Sequence, residues 1–192
     1  MTERLAWRAC RVGLLALCVL VSGPGAVLAH ALPGSVLLLQ PQEAGLQLTI
    51  QFPLEDLLIA APELAALEEA TSEGPLRLET AELFNQYTQR HLSLTEDDTT
   101  LPLTLAEVRL QSTYHEHLGH FMLVISQWDV ANVTSEPSSL VLNYDAVMHE
   151  VRNHRATVQW LAQDGALRQV AEFGLSRTED GILLDSFKMA SD

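Results

Sequence analysis

Histidine is the residue type whose placement most invites chemistry. Three of the seven histidines fall in one short run, His115-Glu116-His117-Leu118-Gly119-His120. Neutral imidazole is a common ligand for zinc, copper and nickel, and a neighbouring carboxylate can orient or join it, so the run points to a divalent transition metal. On a strand, His115 and His117 share a face and His120 points to the other, unless Gly119 makes a bulge. That geometry weakens the metal reading, and the favoured one is a polar turn entering the central strand, with its histidines at the surface. The run lacks the His-Glu-x-x-His spacing that sets two ligands and a general base on one helix face, which removes support for a metalloprotease.

Two further histidines, His149 and His154, lie in the stretch Tyr144 to His154 together with Asp145, Glu150 and Arg152. As chemistry this is a carboxylate-oriented histidine pair. As structure, Asp145, Glu150, Arg152 and Arg155 pair across a loop and His154 bonds to backbone at a bend, which is the favoured reading. His30 becomes a candidate metal ligand if a leader is cleaved just before it, because a free amine and an imidazole can then chelate together. Serine nucleophile elbows, phosphate-cradling glycine loops and paired cysteine motifs do not occur in the sequence, so no catalytic residue is assigned and the chain reads as a non-enzyme.

The first 29 residues read as a secretory signal peptide. Arg4, Arg8 and Arg11 precede an apolar run from Val12 to Val21, and small residues lead to Ala29. The run is about half the roughly 20 residues that a membrane-crossing helix requires. Cleavage after Ala29 and cleavage after Ala31 both fit. Both cysteines, Cys10 and Cys18, lie within this leader. The remaining domain, residues 30–192, therefore has no disulfide and depends on its apolar core, a situation more typical of a bacterial periplasm than of a eukaryotic exterior.

Charge narrows the partners. The 192 residues carry 25 acidic and 11 basic side chains, a formal charge of -14, and losing the leader removes three arginines but only one glutamate. Such a surface repels nucleic acid and anionic headgroups. No segment after the leader is long and apolar enough to span a membrane. Asn132-Val133-Thr134 matches a glycosylation acceptor and is an accidental tripeptide in a bacterial setting.

The elements that position these residues read as mainly β with a helical insertion. Leu46, Leu48, Ile50 and Phe52 alternate with polar residues, and residues 36–40 form the partner strand, with Pro41, Glu43 and Gly45 at the turn. A short helix is expected over 62–70, and a second is capped by Thr80 with Leu83, Phe84, Tyr87 and His91 on one face. After the acidic turn Glu96-Asp97-Asp98, strands are expected at 106–111, 120–128, 140–144, 157–162 and 168–173, with 120–128 the central strand and turns at Asp164-Gly165 and Asp180-Gly181. The expected architecture is a two-sheet antiparallel β-sandwich carrying one or two short helices.

Four segments carry a family resemblance: His30 to Ser35, Phe52 to Leu57, Tyr87 to Leu92, and Tyr144 to His154. In this order and spacing the chain resembles the N-terminal extracytoplasmic region of HupE/UreJ-like membrane proteins, over most of residues 30–192. The resemblance implies a signal peptide and a periplasmic domain associated with nickel or cobalt uptake. Those relatives continue into transmembrane helices whose histidines and aspartates are thought to handle the metal, and no residues of this sequence match them. The expectation is a periplasmic or secreted, non-catalytic module that docks to an integral membrane protein or another periplasmic partner. The alternative is a soluble metal-binding protein using His115, His117 and His120, with or without His30.

Overall fold

The computed structural model describes residues 33–43, 45–69, 72–133, 140–162, 164–177 and 181–184. All of them belong to one compact unit, Ala31–Asp192. The leader, His30, Asp180 and Thr134 of the acceptor tripeptide lie outside the described residues.

The opening hairpin follows directly from the period-two pattern. Strands β1 (Ser35–Gln42) and β2 (Gly45–Pro53) pair antiparallel, placing Leu39 opposite Leu48 and Leu37 opposite Ile50, all four buried. The turn is tighter than the sequence suggested, because Pro41 lies within β1, opposite Leu46. Gly45 has φ +141° and a Cβ there would stand 2.5 Å from the Val130 carbonyl oxygen, so only glycine lets the chain enter β2 at this point.

A helix not anticipated from the sequence follows at once. Helix α1 (Leu54–Ala60) starts after Pro53, with Glu55 and Asp56 in its first turn, where carboxylates favour the exposed backbone N–H groups. It buries Leu54, Leu57 and Ala60. The helix expected over 62–70 is instead a 3-10 segment, Pro62–Leu67, anchored by the buried Leu64 and Leu67. After the two-residue β3 (Gly74–Pro75), α2 (Leu78–His91) buries Phe84 and Tyr87 as expected. Its cap differs: Arg77 holds the N-cap position with no side-chain bond, and Thr80 is inside the first turn.

The remaining strands are β4 (Leu92–Glu96), β5 (Thr99–Thr100), β6 (Leu103–His115), β7 (Gly119–Val130), β8 (Leu140–Tyr144), β9 (Arg155–Leu161), β10 (Leu167–Gly174) and β11 (Ile182–Leu184). Among the described residues the eleven strands form a seven-stranded sheet, β10-β9-β1-β2-β7-β6-β3, and a four-stranded sheet, β11-β8-β4-β5, and neither closes into a barrel. All pairs are antiparallel except β1 with β9, which run parallel with Leu37 beside Val158. Interior strand β7 is buried on both faces only at Val124, Ile125 and Ser126, and the middle position of the sheet belongs to β2.

Aromatic contacts join the layers. Phe52 of β2 packs against Phe84 of α2 at 5.7 Å and against Tyr144 of β8 at 6.4 Å, and Tyr144 meets Phe173 of β10 edge-on at 6.3 Å. Among the described residues no helix is long and apolar enough to cross a membrane.

Candidate functional site

The histidine run forms the turn of the β6–β7 hairpin, so the polar-turn reading describes its local structure. Tyr114 pairs with His120 and His115 with Gly119, which puts His120 on the opposite face of the ribbon from His115. His117 N–H donates to His115 Nδ1 at 3.3 Å, while the His120 ring packs on Tyr114 at 5.2 Å. The run therefore does not bring its three imidazoles to one point. Among the described residues no group of three or more His, Cys, Asp or Glu side chains is arranged to hold a metal ion.

His91, His149 and His154 are each brought by the fold to partners far away in sequence. Ser35 begins β1, Asp56 lies in the first turn of α1, and His154 immediately precedes β9. Parallel pairing of β1 with β9 sets Ser35 beside Ala156 and so draws His154 to the start of β1. The Ser35 N–H donates to His154 Nε2 at 3.0 Å. Nε2 is thus an acceptor, the proton sits on Nδ1, and Nδ1 donates to Asp56 Oδ2 at 2.8 Å. Ser35 Oγ is also 2.8 Å from Nε2.

This is the connectivity of a serine–histidine–carboxylate triad, which the sequence did not reveal. Its serine and its imidazole are closed off from solvent. Ser35 is 0% exposed, and the Nε2 lone pair that would accept a nucleophile's proton already receives a backbone N–H. The His154 side chain is itself fully buried, and Asp56 retains 15% exposure. Burial pushes the neighbouring Tyr144 phenol far above its ordinary range, an effect the Ser35 hydroxyl opposes.

A second polar cluster gathers around Asp145, just beyond β8. Its Oδ1 accepts from Nδ1 of His91, the last residue of α2, at 2.8 Å. The Asp145 carbonyl oxygen lies 3.2 Å from His149 Nδ1, so that nitrogen carries a proton as well. The two rings stack 4.1 Å apart and 9° from parallel. An imidazole lone pair lies in the plane of its ring, and two near-parallel planes 4.1 Å apart do not meet at one ion. Asp145 therefore pairs with a histidine of α2, and Arg155 pairs with Glu172 at 2.8 Å, in place of the expected bridges within the loop.

Tyr87 binds this cluster to the core. Its hydroxyl accepts the Val147 N–H at 2.8 Å, and its ring lies 4.9 Å from that of His91. Val147 is fully buried at φ +68°, a conformation disfavoured for a β-branched side chain by about 1–3 kcal/mol. Burial raises the Tyr87 phenol to about 12. Arg90 lies 5.9 Å over the Tyr87 ring and donates to Glu63 Oε1 at 2.6 Å. Glu63 is held below the ordinary carboxylate range by a backbone N–H first and by Arg90 second.

A scan against protein-family models gives no match, and a comparison with curated proteins gives none either.

Proposed function

We propose that this chain is an exported, non-catalytic module, comparable to the soluble region of HupE/UreJ-like proteins, that docks to a membrane or periplasmic partner linked to metal uptake. One observation carries the reading. Each of the four segments behind the resemblance contributes to the two hydrogen-bonded clusters: Ser35, Asp56, Tyr87 with His91, and Asp145 to His154. Residues scattered along the sequence thus share one task, which is to fix the loop between β8 and β9 and the ends of the elements around it. That arrangement suits a rigid contact surface better than a reaction centre, since the serine is sealed and the imidazoles are engaged with the protein's own groups.

Site-specific photo-crosslinking in intact bacterial cells tests it. A crosslinker at exposed Gln89, on α2 two residues before His91, is expected to trap an integral membrane or periplasmic protein, and one at exposed Gln169 on β10 is not. Adducts confined to cytosolic proteins, or none at Gln89, contradict the docking reading.

A further inference from the structure

Beside the His154 clamp lies a cleft of about 750 Å³, within the range of small-molecule sites, lined by Arg152, Asn153, Arg155, Glu172, Phe173 and Ser176 among others. Its charge runs against that of the molecule. In a chain with 25 acidic and 11 basic residues, these walls hold two guanidinium groups and one carboxylate.

The arginine-bearing segment is held by the fold. His154, between the two arginines, is anchored by Asp56 and Ser35. Arg155 is fixed a second time at its backbone, where its carbonyl oxygen occupies the place a Cβ on Gly34 would need, so only glycine at position 34 allows the approach. Its side chain is oriented as well. Arg155 Nε donates to Glu172 Oε1 at 2.8 Å, and Nη1 lies over Gly174, 3.9 Å from where a Cβ would stand. The guanidinium therefore lies along the end of β10 and keeps Nη donors for a ligand. Arg152, exposed three positions earlier, lines the same cleft.

We infer that this cleft binds a small organic anion through a carboxylate or phosphate group held by Arg152 and Arg155. A planar guanidinium fork matches either group with paired charge-assisted hydrogen bonds. Because the rest of the molecule is acidic, attraction is local to these two side chains and is not a property of the whole surface.

Calorimetric titration of the purified chain tests the inference, with citrate as the carboxylate probe, inorganic phosphate as the phosphate probe and glycerol as the neutral control. Saturable binding of citrate or phosphate is expected, weakened at least about tenfold by Arg152→Ala and by Arg155→Ala and unchanged by Arg168→Ala, an arginine on β10 that does not line the cleft. The probe that saturates identifies which anionic group the site takes. If Arg155→Ala lowers the melting temperature through loss of the Glu172 pair, Arg152→Ala alone decides. No saturable binding of either anion, or equal affinity in wild type and Arg152→Ala, overturns the inference.

Discussion

His154 Nδ1 lies 2.8 Å from Asp56 Oδ2, across 98 positions of sequence, and the same ring accepts the Ser35 backbone N–H at 3.0 Å on its other nitrogen. One imidazole thereby joins the first residue of β1, the first turn of α1 and the entry to β9. With the ring fully buried, neither of its nitrogens can turn to water when a partner is removed. His154→Ala and Asp56→Ala are each expected to cost about 3 kcal/mol in urea unfolding, and the double variant clearly less than the sum of the two. Additive losses would show that the two side chains stabilise the fold independently.

Ser35→Ala separates the clamp from a catalytic triad. The substitution removes the hydroxyl but keeps the backbone N–H on Nε2, so a loss of only about 1 kcal/mol is expected. Wild-type protein is expected to resist a fluorophosphonate probe, because the hydroxyl is 0% exposed. Covalent labelling that disappears in Ser35→Ala would make this a working nucleophile and would contradict the non-catalytic reading.

Alkaline stability reports on Tyr87. Its phenol is raised from 10.0 to about 12, so above pH 10 the unfolded chain loses this proton before the folded one does. The stability tied to Tyr87 is fully present below pH 10 and is lost as pH rises toward about 12, by up to about 1.4 kcal/mol per pH unit. Tyr87→Phe is expected to flatten this part of the profile. It should also cost about 1–3 kcal/mol at neutral pH, because the Val147 N–H loses its acceptor. Urea unfolding across pH 7 to 12 measures both effects, and an unchanged alkaline slope in Tyr87→Phe would disprove the assignment.

Much of the sheet was legible in the sequence. Strong alternation marked β2, and β8 occupies the expected residues, Leu140–Tyr144. What escaped had physical reasons. Helix α1 has only seven residues and begins straight after a strand, too short to display a helical period. Strand β4 follows α2 with no glycine or proline between them, so no breaker marks the switch from helix to strand at Leu92. The parallel contact of β1 with β9 joins segments with the whole middle of the chain between them. The clusters were hidden for the same reason: Ser35 and His154 are 119 positions apart, and His91 and Asp145 are 54. Local spacing drew attention to His115, His117 and His120, whereas the buried contacts were made by histidines that stand apart.

Metal titration distinguishes the docking module from a metal-binding protein. With His115 and His120 on opposite faces of the β6–β7 ribbon, the account predicts no stoichiometric binding of nickel, copper or zinc to this run. One-to-one binding that vanishes in a His115→Ala, His117→Ala, His120→Ala triple variant would favour the metal-binding alternative. Retention of that binding in the triple variant would direct attention to His30 and a free N-terminus.

A docking role outside the inner membrane requires export. Expression of the full 192 residues in a Gram-negative host, followed by fractionation and intact-mass analysis, measures it directly. The predicted result is a periplasmic species beginning at His30 or Leu32. An uncleaved chain beginning at Met1 and confined to the cytosol would contradict the account.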